Sequence, residues 1–205
     1  FQKRLQIALE TLRKGIWDWS VPNDAITLSQ DWDERFGLGA GGNTATLSSW
    51  LERVHEEDRP RFQQMIARCQ IGMAESFELV YRMKNPSDGW NWIECVGSVV
   101  ERDAAGQAIR LVGTVSDVTT DEENKIELRL SALVFDEATE GIAITNAKNE
   151  FIRVNKAFSA ITGYSQREVL GKTPAMLSSG MQGKSFYQNL WMSLQKHGYW
   201  RGEIW

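Results

Sequence analysis

Few residues of this chain have the chemistry and the spacing that catalysis or metal binding requires. Cys69 and Cys95 form no Cys-x-x-Cys pair, and His55 and His197 are too far apart to share one helical metal site. The glycine-rich run 39–42 lacks the Lys-Ser/Thr of a phosphate-binding loop. The sequence therefore predicts a segment that is not an enzyme, that holds no metal, and that lies in a reducing compartment, the cytoplasm.

Aromatic side chains are the remaining candidates, because clustered rings can line a pocket for a small molecule. In the first half of the chain the candidate pocket residues are Trp17, Trp50, Phe77 and Trp92, with Cys95 beside them. Their spacing along strand-like segments is more typical of a packed core or an interface, and we favour that interpretation.

Composition limits the class of partner. Apolar residues make up 42% of the 205 residues, and 23 basic against 27 acidic side chains give a net charge of −4. A globular protein is expected, without nucleic acid or an anionic membrane as a default partner. No apolar run approaches the roughly 18 residues of a membrane span. The chain starts at Phe1 without a signal-peptide pattern, so we expect an internal piece of a longer protein, which could be membrane-attached elsewhere.

An internal repeat organises the sequence. Gly15 and Gly141 begin similar segments at an offset of 126 residues, and Gly72 and Gly198 fall at the same offset. A period this long indicates duplicated domains, because solenoid units repeat every 20 to 50 residues or so.

Each copy opens with strand, turn and strand and continues into helices. The first copy then has three strand patterns, at 77–83, 90–102 and 108–115, separated by Pro- and Gly-containing turns. The predicted fold class is α+β: two domains, each an antiparallel sheet with helices on one face, joined by a linker helix. The predicted segments are an N-terminal helix 1–14, a first domain 15–117, a linker helix 118–136 and a second domain 137–205, truncated so that its last two strands are absent.

Local motifs resemble those of the PAS (Per-Arnt-Sim) sensor domain. The runs that carry the resemblance are Val54-His55-Glu56-Glu57-Asp58-Arg59, Val115-Ser116-Asp117-Val118-Thr119, Val154-Asn155-Lys156-Ala157-Phe158 and Ile161-Thr162-Gly163-Tyr164-Ser165. The first copy is similar to the PAS-fold-3 type. The second is similar to redox and flavin PAS domains and to those that precede cyclic-di-GMP outputs (GGDEF/EAL).

For the second domain, the resemblance implies a non-covalent flavin pocket. Its candidate residues are Asn155, Met176, Leu177, Trp191 and Trp200, with FAD as the cofactor. The alternative, which we favour, is that these side chains form the core and bind nothing.

Other cofactor chemistry fits the sequence less well. The reactive cysteine of blue-light flavin relatives is replaced in the run Gly171-Lys172-Thr173-Pro174, so a covalent flavin adduct is not expected. Haem ligation would fall to His55, but a histidine at a helix start is better explained by a local structural role.

Two segments carry apolar residues at alternating spacings of four and three, as in a parallel coiled coil. The first is Leu5, Leu9 and Leu12, where a dimer helix and a packed capping helix are equally consistent with the pattern. The second is Ile126, Leu130 and Leu133, where a dimeric linker helix is favoured.

The predicted function is the sensory and dimerisation region of a bacterial signal-transduction protein. Asp117 and Thr119 would couple the first domain to the linker helix. Cyclic-di-GMP synthesis or hydrolysis is the expected output, ahead of a histidine kinase and a chemoreceptor-like output. The alternative from another class is a ligand-free protein-interaction module.

Overall fold

The computed structural model describes residues 14–29, 32, 36 and 45–204. The chain divides into two compact units, with the boundary between Lys125 and Ile126. Each unit has its own sheet and its own buried cluster. The predicted dimer-helix residues Leu5, Leu9 and Leu12 and the glycine run 39–42 lie outside the described residues.

The first unit is built on a five-stranded antiparallel sheet with strand order β2-β1-β5-β4-β3. Its strands are β1 (Lys14–Ser20), β2 (Ala25–Leu28), β3 (Ser76–Lys84), β4 (Trp90–Arg102) and β5 (Ala108–Asp117). Buried and less buried side chains alternate along β1 and β3, as in a sheet that packs its core on one face. The predicted strand pair and the three following strands are confirmed.

Among the described residues, two helices of the first unit contribute side chains to its core. Helix α1 (Leu47–Arg53) starts at Thr46, whose hydroxyl accepts a hydrogen bond from the first turn and so satisfies one of its free N–H groups. Helix α2 (Arg59–Gln70) ends before Gly72, which takes the left-handed conformation with φ 80°. The side chains that α2 buries are Phe62, Ile66 and Cys69. These recur at helical spacing, as predicted, and pack with the inner sheet face in one cluster.

Helix α3 (Thr119–Glu137) follows β5 directly. It buries no side chain, although its apolar residues include Ile126, Leu130 and Leu133. A helix is therefore present where the sequence predicts the linker.

The second unit has a two-stranded antiparallel sheet and short helices. The strands are β6 (Ala143–Thr145) and β7 (Phe151–Val154), and the helices are α4 (Lys156–Thr162), α5 (Gln166–Val169), a 3₁₀ turn (Pro174–Leu177) and α6 (Lys184–His197). Its buried apolar cluster is small, and Met176 packs against it; the cluster members are Phe151, Val154, Phe158 and Val169. Helix α6 buries no side chain, and Trp191 on it, which the sequence analysis favours as a core residue, is 46% exposed.

In the described part of the chain, no helix is both long enough and apolar enough to cross a membrane. Within the same residues, His, Cys, Asp and Glu side chains form no group of three or more that could hold a metal ion.

Candidate functional site

A pair of glycines shapes the interior of the first unit. Gly97 on β4 lies opposite Gly113 on β5, and Gly113 lies opposite Trp17 on β1. A Cβ on Gly113 would approach Trp17 Cζ2 to 2.5 Å, and one on Gly97 would approach the same atom to 2.6 Å. The indole of Trp17 therefore packs directly on the backbone of the sheet. It occupies space that is free because Gly97 and Gly113 have no side chain. Phe77 stacks on it, with ring centroids 5.9 Å apart.

Beside this ring is a small interior cavity. The volume of this cavity is about 20 Å³, measured as the space that the centre of a water-sized sphere can occupy. Its wall consists of Trp17, Trp19, Ile26, Leu47, Trp50, Phe62, Ile66, Phe77 and Cys95. The structure thus brings together Trp17, Trp50 and Phe77 of the predicted pocket, along with Cys95.

Trp92 does not belong to this wall. Successive side chains of a strand point to opposite faces, so Trp92 lies on the other side of the sheet from Ile93 and Cys95, which are buried in the core. There the guanidinium of Arg82 lies 5.4 Å from the centroid of the Trp92 ring. The expectation that Trp92 lines the first pocket is corrected by this strand periodicity.

The polar atoms next to the cavity are not arranged for catalysis. Trp50 Nε1 donates a hydrogen bond of 3.0 Å to the hydroxyl of Tyr81, which is fully buried. Burial raises the pKa of the Cys95 thiol to about 12, so this sulfur stays protonated at neutral pH and is a poor nucleophile or metal ligand. Trp17 Nε1 is buried and has no hydrogen-bond partner among the described residues.

The end of β5 forms a hydrogen-bonded junction with the start of α3. Asp117 Oδ1 accepts from Thr119 N (3.1 Å) and from Thr119 Oγ1 (2.5 Å). Thr119 Oγ1 in turn accepts from Trp92 N (3.0 Å) at the start of β4. The two residues predicted to couple the domain to its helix are therefore in direct contact with each other and with the neighbouring strand.

Two asparagines that the sequence analysis did not identify extend this junction. Asn91 Nδ2 donates to Asp117 Oδ2 (3.0 Å), and Asn85 Nδ2 donates to Asn91 Oδ1 (2.7 Å). Asn85 Oδ1 also accepts from Ser87 N and Gly89 N and so holds the β3–β4 turn. The turn is thus connected through side chains to the first residue of α3. The Asn-Pro-Ser-Asp-Gly run signals this turn in the sequence, but not its connection to Asp117.

The Val54–Arg59 motif fastens α2 to β3. Asp58 Oδ2 accepts from Arg82 N and from Arg82 Nε, both at 2.9 Å, and Arg59 Nε donates to Val54 O (2.8 Å). Burial pushes the pKa of Asp58 upward, but the hydrogen bonds and charge of Arg82 outweigh this and hold the pKa below its ordinary value. The motif therefore has a structural role.

His55 belongs to the same attachment. Its backbone N–H donates to Arg82 O (2.9 Å), and its ring lies edge-on to Trp90 with centroids 4.7 Å apart. Its Nδ1 accepts from Glu57 N (3.3 Å). These contacts describe the local structural role that the sequence analysis favours for this histidine over haem ligation.

Asn155 joins three segments of the second unit. Its Nδ2 donates to Phe135 O (3.0 Å) and to Glu140 O (2.9 Å), at and just beyond the end of α3, with Ala138 O at 3.5 Å. Its Oδ1 accepts from Ile142 N (2.8 Å), next to β6, and from Phe158 N (2.9 Å) in the first turn of α4. The side chain is 1% exposed, and both of its N–H groups and its oxygen are used within the chain. It therefore positions backbone, and the expected contact to a ligand edge is not available to it.

The other predicted residues of the second pocket are dispersed. Met176 packs on the buried cluster, whereas Leu177 is 37% exposed and Trp191 is 46% exposed. The ring of Trp200 lies edge-on to Phe186, with centroids 5.6 Å apart. Within the described residues these side chains do not enclose a common site.

Two family models match the chain. Residues 25–115 match that of the PAS fold, and residues 128–188 match that of the PAS domain. Among solved structures, the chain is similar to a sensory box histidine kinase/response regulator from Burkholderia thailandensis E264. The TM-score is 0.53 and the identity 25%, over 63% of this chain and 95% of that one.

Two curated proteins are also similar. The non-motile and phage-resistance protein of Caulobacter vibrioides is 29% identical over 133 residues, which is 64% of this chain and 15% of that protein. The nitrogen fixation regulatory protein of Klebsiella oxytoca is 33% identical over 69 residues, which is 34% of this chain and 14% of that protein. The matches span about one seventh of the length of these two relatives.

Proposed function

We propose, given that this chain belongs to the PAS family and carries two PAS domains in tandem, that it receives a signal in the first domain and passes it through α3 to the second. The second domain would then act on an output domain of the same protein. The observation that carries the proposal is that α3 is bonded at both ends, by Asp117 and Thr119 at its start and by Asn155 at its end.

The first step runs along the strands from the cavity to α3. Cys95, in the cavity wall, lies opposite Val115 in the β4–β5 register, and Ile93 lies opposite Asp117. The wall and the junction are thus one pleat repeat apart on the same two strands. A change in how the wall packs would shift the strand ends, and Asp117 and Thr119 would transmit this shift to the first turn of α3.

The second step is the attachment of α3 to the second unit. The last carbonyls of a helix have no partner within it, and Asn155 supplies donors at this end. Lys156 also pairs with Glu137 (2.5 Å), and Arg153 lies over the Phe135 ring at 4.2 Å. Because Asn155 Oδ1 accepts from the start of α4, a movement of the end of α3 would reach α4 through one side chain.

Dimerisation through α3 is part of the proposal. Ile126, Leu130 and Leu133 are 41%, 57% and 58% exposed, and helical geometry places them within about 60° of arc. A second copy of this chain would cover such a stripe in a parallel coiled coil. Two packed helices have few stable arrangements, so a small shift at one end can favour one arrangement over another.

Two output classes follow. Cyclic-di-GMP synthesis or hydrolysis is the output that the sequence of the second domain suggests. A histidine kinase is the second candidate, and the similarity to the Burkholderia thailandensis histidine kinase/response regulator favours it.

The test of transmission is the double variant Asp117→Ala, Thr119→Ala, with Thr120→Ala as the matched control at an exposed neighbouring position. We expect amide exchange in the first turn of α3 and at Trp92, whose N–H loses its acceptor, to rise at least tenfold, about 1.4 kcal/mol, while exchange in β1 and β2 stays unchanged. In the parent protein the double variant should lose regulation of its output, measured as cyclic-di-GMP turnover or autophosphorylation. Unaltered regulation would contradict the proposal.

An absorbance spectrum separates this proposal from a ligand-free interaction module. Flavin or haem bands in the purified protein would support cofactor-based sensing. A protein without bands, whose output also ignores the Asp117 and Thr119 substitutions, would support the interaction module.

A further inference from the structure

We propose that His55 is a pH-sensitive switch that acts on the junction between the first domain and α3. When the imidazole takes up a proton from solvent, the carboxylate of Glu57 passes from Arg82 to the ring. The inference rests on the proposed function, because the junction that it acts on is the one through which α3 would be moved. Three observations support it: a shared carboxylate oxygen, the charges around the ring, and the contacts that lead from the ring to Thr119.

One carboxylate oxygen lies between Arg82 and His55. Glu57 Oε2 accepts from Arg82 Nη2 at 2.7 Å and lies 3.9 Å from His55 Nδ1. His55 Nδ1 accepts from Glu57 N (3.3 Å), which assigns the proton of the neutral ring to Nε2. A protonated Nδ1 no longer accepts from this N–H and becomes a donor. Because the Glu57 side chain is 70% exposed, it can rotate from the guanidinium to this new donor.

The charges around the ring favour this exchange. The carboxylates of Glu57 and Asp58 both interact electrostatically with His55, and the guanidinium of Arg82 binds both of them. Two negative charges and one positive charge give a net charge of −1, which protonation of the ring brings to zero. Arg82 retains its bonds to Asp58 when Glu57 leaves, at 2.9 and 3.0 Å, so each cation then has a carboxylate.

The other charged residues near His55 in the chain or across the sheet are occupied with partners of their own or are exposed. Arg59 donates to Val54 O, and Lys84 pairs with Asp88 at 2.5 Å. Glu56 is exposed and next to Glu57 in the chain. The exchange therefore concerns Glu57, because it is the carboxylate that bonds to both His55 and Arg82 through its backbone or side chain.

Two contacts lead from this group to the start of β4. The ring of His55 lies edge-on to Trp90, with centroids 4.7 Å apart. The guanidinium of Arg82 lies 5.4 Å from the centroid of the Trp92 ring. When Glu57 leaves, one carboxylate instead of two holds this guanidinium, so its position over Trp92 changes. Protonation of His55 therefore reaches both tryptophans.

These tryptophans flank the polar junction. Trp92 N donates to Thr119 Oγ1 (3.0 Å), and Trp92 O accepts from Val118 N (2.9 Å). Asn91, which lies between the tryptophans in the chain, donates to Asp117 Oδ2 (3.0 Å). A shift at the start of β4 is thus passed by three hydrogen bonds to the residues that lead into α3.

The test is a titration of the full chain between about pH 5 and pH 8, read from tryptophan indole resonances and the Thr119 amide resonance. Histidine ordinarily changes its charge in this range, and the chain has two, His55 and His197. In the wild type we expect the signals of Trp90, Trp92 and Thr119 to shift together along one titration curve. His55→Asn, which keeps an acceptor close to the position of Nδ1, should remove these shifts. His197→Asn should leave them as in the wild type.

Glu57→Ala tests the shared carboxylate, with Glu56→Ala as the matched control at the neighbouring exposed position. In Glu57→Ala the shift of the Trp92 and Thr119 signals should fall at least about twofold, whereas Trp90, in direct contact with the ring, should still titrate. Because both glutamates are exposed, this pair keeps the test decisive if His55→Asn does not fold.

Three results would overturn the inference: signals that do not titrate in the wild type, shifts that persist in His55→Asn, or equal shifts in Glu57→Ala and Glu56→Ala. The titration is read at the junction and not at an output domain. Its failure therefore leaves transmission through Asp117 and Thr119 standing. An output that ignores the substitution of these two residues would contradict transmission and leave the titration standing.

Discussion

The side chain of Asn155 offers the sharpest test of how the second unit is assembled. In Asn155→Ala, the N–H groups of Ile142 and Phe158 lose their acceptor, and the carbonyls of Phe135 and Glu140 lose their donor. A lost helix N-cap costs about 1 kcal/mol and each buried group left unpaired about 1–3 kcal/mol. Because water can reach part of the opened site, we expect a total near 3 kcal/mol, or about a 100-fold increase in opening.

The assay is native-state amide exchange resolved by residue, followed at Ile142, Phe158 and the last turn of α3. Asn189→Ala removes an asparagine that is exposed on α6 of the same unit and serves as control, with an expected change under about 0.5 kcal/mol. A change in Asn155→Ala as small as that of the control would refute the reasoning.

Asn155→Asp separates the hydrogen bonds that the side-chain oxygen accepts from those that the side-chain nitrogen donates. The carboxylate keeps an acceptor for Ile142 N and Phe158 N but has no donor for the carbonyls at the end of α3. We expect protection to persist at Phe158 and to fall in the last turn of α3. Equal loss at both places would mean that the oxygen and nitrogen contacts are not separable.

Three further predictions follow from the first unit and α3. Gly113→Ala forces a Cβ against the backbone oxygen of Val96 and against the Trp17 ring and should cost more than about 2 kcal/mol in urea unfolding, whereas Gly183→Ala, with open space around it, should change stability little. Because the pKa of Asp58 is lowered on folding, its contribution to stability is fully present above its unfolded pKa, about 3.9, and is lost as pH falls through the folded value. Wild-type stability should therefore drop more between pH 5 and pH 2 than that of Asp58→Asn; equal slopes would refute this assignment. If the proposed dimer forms through α3, Leu130→Asp should convert it to a monomer in light scattering, and Leu128→Asp, 71% exposed on the opposite side of α3, should not; equal effects would exclude this stripe as the interface.

Much of the first unit could be predicted from the sequence, because its strands alternate and its turns carry Pro and Gly. The prediction for Trp92 was wrong because Trp92 was grouped with Cys95, although a separation of three residues places the two side chains on opposite faces of β4. The opposition of Gly97 and Gly113 depends on the β4–β5 register, which neither strand reveals by itself. The packing of the Trp17 ring on these two glycines therefore could not be predicted without the three-dimensional structure of the sheet.

The candidate site of the second unit was harder to predict. An asparagine ahead of a helix is equally consistent with an N-cap and with a ligand contact, and the choice depends on distant carbonyls such as Phe135 O. Asp117 and Thr119 were identified through family resemblance. Their partner Asn91 was missed, because a single polar residue between two tryptophans on a strand has no distinctive spacing.

The bonding of α3 at both ends limits how its length can change. Each inserted residue adds about 1.5 Å and turns everything after it by about 100°, so one extra residue would carry the Phe135 carbonyl and its partner Asn155 together by that angle around the helix axis, relative to Thr119 at the start of α3. Seven extra residues add about 10.5 Å but restore nearly the same angular phase. Spacers that differ by whole heptads should thus be interchangeable here, and those of intermediate length should not.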